Sequence, residues 1–263
     1  MVQKNTAACT VIEYPRHRLP TVDYLSVARG KPLIHLFMEA DVTLARTRLR
    51  AYRRQTGQGV SFTAFIVGCL ARAVDENKRV QGYRKRRKLV VFDDVDICVI
   101  VEQPVEETRL PVPHVIRGAN HRDLLGIHSE IRRFQEAGAQ DADPWRLSRF
   151  YPFFPGFLRR LFWRALFSNP WWIKKVPGTV CVTAAGMFGK GRGWGIPISA
   201  YTLTLTVGGI GSALEIHGDR PVRREYLSLT LSFDHEIVDG APAARFASRL
   251  RELIESAHGL DAS

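Results

Sequence analysis

The sequence predicts a mixed α+β domain, and three observations carry that prediction. Segments of strand composition and segments of helical spacing interleave without a regular strand–helix–strand alternation, which points away from an all-parallel sheet. The stretch Tyr226–Phe233 alternates strictly between polar and apolar residues, the period of a strand with one face on a core. Beyond it, Pro242 opens a segment with Phe246, Leu250, Leu253 and Ile254 on one helical face; proline suits a first turn that needs no N–H donor. With 263 residues, 45% of them hydrophobic and 24% charged, the chain is long enough for a substantial core, and collagen-like, fibrous and wholly disordered classes are excluded.

In chain order, residues 1–31 are polar and irregular and read as an N-terminal arm; the folded domain is expected over 32–263. Residues 33–43 have strand composition, and Asp41 or Thr43 can cap a helix that runs through about Arg54 and stops at Gly57 and Gly59. Ser61 or Thr63 starts an apolar helix through Asn77, followed by the basic run Arg84–Lys88, expected at a hairpin tip. Residues 90–103 read as two strand pieces and 111–120 as a strand entering a turn. Leu124, Ile127, Ile131 and Phe134 recur at helical spacing, which predicts a helix from Asp123 or Leu124 to Ala137. Further strands are expected at 178–185 and about 200–207, separated by a glycine-rich stretch, and the last helix runs from Pro242 to about Ala257.

Charge and cysteine usage narrow the setting. Lys and Arg total 38 against 26 Asp and Glu, a net +12, which favours anionic partners such as phosphate-bearing substrates, acidic membranes or nucleic acid. Nucleic acid ranks last, because no binding motif accompanies the charge. The glycine-rich 189–195 lacks the GK[ST] of a phosphate-binding loop. Cys9, Cys69, Cys98 and Cys181 are widely spaced without a CxxC pair and read as buried thiols of a reducing compartment, with no metal site expected. The N-terminus has no apolar signal core, and no run of eighteen uncharged apolar residues occurs, so the expected location is cytoplasmic with membrane association left open.

That opening comes from 145–172, where eleven aromatic residues interleave with Arg146, Arg149, Arg159, Arg160 and Arg164. Pro152, Pro155 and Pro170 divide the stretch into short helices, which argues against a single span. Packing against protein, as a subunit contact or a roof over a channel, ranks first. Peripheral membrane contact, with rings at headgroup depth and guanidinium groups toward anionic lipid, ranks second.

The sharpest chemical signal is Ser232-Phe233-Asp234-His235-Glu236-Ile237-Val238-Asp239-Gly240-Ala241, between the alternating strand and the last helix. A histidine where a strand turns sharply can be held rigidly and still reach a cleft, as a general base requires; a hydrogen-bonded turn histidine is the other reading. Asp239, at the helix start, can cap backbone N–H groups or pair with an arginine.

This decapeptide resembles the SFDHRxxDGA motif of the 2-oxoacid dehydrogenase acyltransferases (dihydrolipoamide acyltransferases), and the wider HxxxDG pattern is shared with chloramphenicol acetyltransferase. The resemblance extends in order over PLIHLFMEADV (32–42), SFTAFIVGCLARAV (61–74), LVVFDDVDICVIVE (89–102), RLPVPHVIRGAN (109–120) and GTVCVTAAGMFG (178–189). It implies a chloramphenicol acetyltransferase-like mixed sheet flanked by helices, assembled as a homotrimer or larger homo-oligomer with the active site in a channel between subunits. It also implies an acyltransferase that moves an acyl group between a thioester and a thiol or hydroxyl acceptor, with coenzyme A as substrate.

Carried over residue by residue, the resemblance makes His235 the general base toward a thiol whose pKa of about 8.5 leaves it mostly protonated at neutral pH. It places Thr183 where the family has an oxyanion-stabilising serine, an ordinary strand threonine being the alternative. Asp239 becomes a structural partner of Arg16 or Arg18. Glu236 departs from the family's arginine, and Ala184-Ala185 from its polar-apolar pair. No lipoyl domain or subunit-binding domain is recognisable, so the lipoyl group is expected on a separate carrier. The competing function is a non-catalytic trimeric scaffold or peripheral membrane assembly module that retains the fold.

Overall fold

A computed structural model describes residues 10, 13–105, 108–137, 151–184, 191–218 and 220–260. Its strands are β1 (Leu33–Asp41), β2 (Tyr83–Lys85), β3 (Lys88–Val90), β4 (Ile97–Val105), β5 (Thr108–Ile116), β6 (Val180–Ala184), β7 (Leu203–His217) and β8 (Arg220–Asp234). Its α-helices are α1 (Leu19–Ala28), α2 (Thr43–Thr56), α3 (Phe62–Glu76), α4 (Leu124–Ala137), α5 (Gly156–Ser168), α6 (Pro170–Lys175) and α7 (Gly240–Glu255). Six strands form one mixed sheet in the order β1-β8-β7-β6-β4-β5, while β2 and β3 pair separately. Strand β6 runs parallel to β4 and β7, and the remaining neighbours are antiparallel.

Strand alternation divides the sheet into two chemically different faces. Leu227, Leu229, Leu231 and Phe233 of β8 join Leu203, Leu205 and Val207 of β7 and Val180 and Val182 of β6 in one core with Phe65, Leu70, Phe246 and Leu250 from α3 and α7. The intervening residues Thr183, Thr204, Thr206, Ser228, Thr230 and Ser232 turn hydroxyls to the opposite face, because successive side chains of a strand point to opposite sides. The glycine-rich segment after residue 190 lies across part of that second face. Gly209 N–H donates to the Gly193 carbonyl at 3.0 Å, and Trp194 Nε1 donates to the Met38 carbonyl at 3.3 Å. A β-carbon on Gly208 or Gly209 would collide with the Gly193 or Gly191 carbonyl, and the β7–β8 register shifts between Val207 and Ile210 where the chains touch.

The helix boundaries follow local capping chemistry. The Asp41 carboxylate accepts the Thr43 N–H at 2.8 Å at the start of α2, and Gly57 ends that helix at φ 70°. Ser61 Oγ accepts the Ala64 N–H at 3.2 Å, and Asp123 Oδ1 accepts the Gly126 N–H at 2.8 Å. The basic run forms the expected hairpin, with Arg86 and Arg87 at its tip between Lys85 and Lys88.

Two expectations need correction. The segment read as an irregular arm contains α1, whose inward face packs against α5; its two prolines had disguised a helix that proline can begin. Strand β7 runs ten residues beyond Val207, since pairing with β8 sustains an extended chain even where Leu214 and Ile216 face outward. Cys69, Cys98 and Cys181 are buried and free. Cys9, Trp145–Phe150 of the aromatic stretch and residues 185–190 of the glycine-rich motif lie outside the described residues.

Candidate active site

Strand β8 ends in a turn held from three directions. Asp234 N–H donates to the Thr202 carbonyl at 2.9 Å, and His235 N–H donates to the Pro32 carbonyl at 2.8 Å. The N–H groups of Ile237 and Val238 donate to the Asp234 carbonyl, each at 3.0 Å. The Asp234 side chain is buried, accepts a charge-assisted bond from Lys31 Nζ, and accepts the Glu236 N–H at 3.1 Å. These bonds brace the loop that carries a single residue whose own side chain is left half-exposed.

That residue is His235. Its imidazole is half-exposed, and Nδ1 lies 3.7 Å from Asp239 Oδ1. Asp239 is exposed at the N-cap of α7 and makes no side-chain capping bond. It pairs with neither Arg16 nor Arg18 within this chain; the described ion pair of Arg16 is with Glu13, at 3.9 Å. Helix α1 draws the N-terminal segment toward α5 instead. Glu236, the departure from the family motif, meets Arg84 of the basic hairpin at 3.0 Å.

Thr183 lies elsewhere on the sheet. It sits beside Thr206 on β7, which in turn faces Thr230 on β8, five residues before His235. At ~3.3 Å per residue along a strand and ~4.8 Å between strands, Thr183 and His235 stand roughly 20 Å apart in one chain. At that separation one chain does not bring the two side chains together. Beside Thr183, the hydroxyls of Thr206 and Thr230 are buried without a hydrogen-bond partner among the described residues. The sequence did not single out Lys31, Asp234, Thr206 or Thr230. Asp234 lay inside the motif, but its anchoring role needs Lys31, and nothing near Lys31 marks it. No group of three or more potential metal ligands occurs among the described residues, and none of their helices is long and apolar enough to cross a membrane.

The model of the 2-oxoacid dehydrogenases acyltransferase (catalytic domain) matches residues 9–142 and 176–260. The chain belongs to this family. The lipoamide acyltransferase component of the branched-chain alpha-keto acid dehydrogenase complex of Bacillus subtilis is 24% identical over 227 residues, covering 83% of this chain and 46% of that protein. The chain spans a little under half the length of the curated relatives it matches. Among solved structures, Azotobacter vinelandii dihydrolipoamide acetyltransferase superposes with a TM-score of 0.71 at 17% identity, covering 95% of this chain and 94% of that one. That work addressed the role of a serine, a histidine and an asparagine in the catalytic mechanism. The cubic core of the pyruvate dehydrogenase multienzyme complex superposes at 0.70 with 18% identity, covering 99% of this chain and 97% of that one. Chloramphenicol acetyltransferase superposes at 0.52 with 16% identity, covering 94% and 98%, so the mixed sheet has the chloramphenicol acetyltransferase-like fold.

Proposed function

We propose that this acyltransferase domain moves an acyl group between coenzyme A and a thiol or hydroxyl acceptor, with His235 as general base. The observation that carries this reading is the turn, which four backbone bonds hold in place, one of them from His235 N–H itself, while the imidazole is left half-exposed. The serine, histidine and asparagine named for the Azotobacter enzyme are separated along its chain as Thr183, His235 and Asp239 are here, which supports reading Thr183 and His235 as the hydroxyl donor and the base. In the proposed step, His235 Nε2 takes the proton of the acceptor thiol as its sulfur attacks the thioester carbonyl. The tetrahedral oxyanion accepts a hydrogen bond from the Thr183 hydroxyl. Collapse breaks the original C–S bond, and the departing sulfur recovers the proton from the imidazolium.

The roughly 20 Å between Thr183 and His235 supports a site completed by a second copy, with His235 of one subunit facing Thr183 of its neighbour, as a homotrimer would allow. We take residues 145–172 to be an insertion in a single catalytic domain, and a lipoylated carrier to be supplied separately when the acceptor is dihydrolipoyl. In an acyl-CoA to dihydrolipoamide transfer assay, His235→Ala is expected to lower kcat on the order of 10²–10⁴-fold. Unchanged turnover would overturn the assignment. The second reading, a scaffold that keeps the fold without turnover, instead requires wild type and variant to be equally inert toward a panel of acyl-CoA donors. It draws support from the exposed apolar surface of α5 and α6, to which the proposed chemistry assigns no role.

A further inference from the structure

The matched family segments stop at residue 142 and resume at 176, so α5 and α6 belong to a stretch the family domain does without. Their inward side is well anchored. Asp23 of α1, buried, accepts from Arg159 Nε at 2.9 Å and from the Tyr151 hydroxyl at 2.7 Å, and Trp163 Nε1 donates to that same hydroxyl at 2.9 Å. Tyr24 packs its ring 5.6 Å from Trp163 and 5.7 Å from Phe167, while Leu166 and Ile173 are fully enclosed. The protein that this side packs against is α1 of the same chain.

The other side faces outward, with Phe153 76% exposed, Phe157 65%, Leu161 59% and Trp171 55%. Phe157 and Leu161 are one helical turn apart, so they form a stripe, and Arg160 and Arg164 flank it. The sequence from Trp145 to Lys175 contains no Asp or Glu, whereas Lys and Arg recur throughout it. The hairpin adds its cations to the same surface: Lys85 Nζ stands 4.9 Å from the centroid of the Trp171 ring. Acidic neighbours account for only part of the charge, since Lys174 meets Asp94 at 3.1 Å and Arg84 meets Glu236. Arg86, Arg87, Arg160, Arg164 and Lys175 form no ion pair among the described residues.

We propose that the outer faces of α5 and α6, with the β2–β3 hairpin, form a peripheral docking surface for anionic phospholipid bilayers. Exposed rings and leucines supply apolar area at headgroup depth, and the surrounding guanidinium and ammonium groups meet lipid phosphate. Charge selects this occupant. A protein partner would have to bring a compensating acidic rim as well as an apolar centre, whereas an anionic bilayer presents both layers at once. The short helices lie on the surface and do not enter the hydrocarbon as a span.

The test is co-sedimentation of the full chain with phosphatidylcholine vesicles, with and without phosphatidylglycerol, alongside native mass measurement. Wild type is expected to sediment with the anionic vesicles only and to be released by salt, as a surface charge interaction requires. Combined Phe157→Ser, Leu161→Ser and Trp171→Ser substitutions should weaken vesicle binding at least about tenfold at unchanged native mass. Arg160→Glu with Arg164→Glu should weaken it without removing any ring. His235→Ala should bind vesicles like wild type, which separates this proposal from the catalytic one. No binding of wild type to anionic vesicles overturns the proposal, as does full binding by the triple variant. A fall in native mass in the triple variant would also overturn it, by making the face a contact between copies of the chain.

Discussion

The turn after β8 and the helices inserted before β6 solve opposite problems with the same ingredients, a buried aspartate and a cation from a distant part of the sequence. At the turn, Asp234 and Lys31 tie β8 to the segment before β1, backbone bonds brace the loop, and a half-exposed imidazole emerges. In the insertion, Asp23 and Arg159 tie α5 to α1, and a whole face of rings emerges. The difference lies in what surrounds the anchor. A sheet offers backbone donors and acceptors that define one side chain's position to within a bond, whereas two short helices are held at a few side chains and leave their outer surface to whatever partner fits it. The first arrangement suits chemistry and the second suits adhesion.

Substitutions that remove one anchor at a time can break or sharpen this contrast. The largest effect is expected at Lys31→Met, which leaves the Asp234 carboxylate, 1% exposed, without its cation at a cost of about 3–5 kcal/mol. Thermal unfolding should register that loss, and kcat should fall with it; Lys31→Arg should recover both. If stability falls while turnover per folded molecule stays constant, the anchor does not position His235.

Arg159→Met should cost somewhat less, about 2–3 kcal/mol, because the Asp23 carboxylate is 6% exposed and keeps the Tyr151 hydroxyl as a donor. Here the contrast predicts a split outcome: vesicle binding lost, acyl transfer per folded molecule retained. Limited proteolysis should show cleavage within α5 becoming faster. Loss of transfer instead would mean that the insertion contributes to the channel.

Gly208→Ala is expected to cost about 1–3 kcal/mol, since the added carbon meets the Gly193 carbonyl and must push the glycine-rich segment off the hydroxyl-bearing face. Denaturant unfolding would measure it. Because that segment lies near Thr183 and not near the insertion, transfer should be impaired and vesicle binding unchanged.

The smallest effect belongs to a pair remote from both regions. Hydrogen bonds from Arg249, opposed by partial burial and aided by Arg72, hold the Glu76 carboxyl down at about 2. A depressed carboxyl stabilises the fold above its unfolded value and loses that contribution as pH falls toward its folded value, so the term is complete near neutrality and fades between about pH 4.5 and 2. With both partners open to solvent, Glu76→Gln should cost no more than about 1 kcal/mol at neutral pH and flatten acid unfolding over that interval.

How far the chain could be read from its sequence differs between these regions for a physical reason. Most element positions follow from local periodicity and caps: Ser61 before α3, Gly57 after α2 and the alternation through Phe233 all act within a few residues. α1 was hidden because its apolar spacing is weak and its burial depends on α5, a segment far along the chain. The extent of β7 was hidden because pairing with β8, not side-chain pattern, sustains its outer half.

By itself the sequence determined a mixed α+β chain, a general-base candidate at His235, a hydroxyl at Thr183 and a cationic aromatic stretch of unusual composition. Tertiary structure alone decided that Lys31 anchors Asp234, that Thr183 stands far from His235 within one chain, and that the aromatic stretch has a buried side and an exposed one. Periodicity reports which way a side chain faces relative to its own backbone. Which distant residue it meets depends on sheet order and helix packing, and those are set by the burial of many small contributions at once.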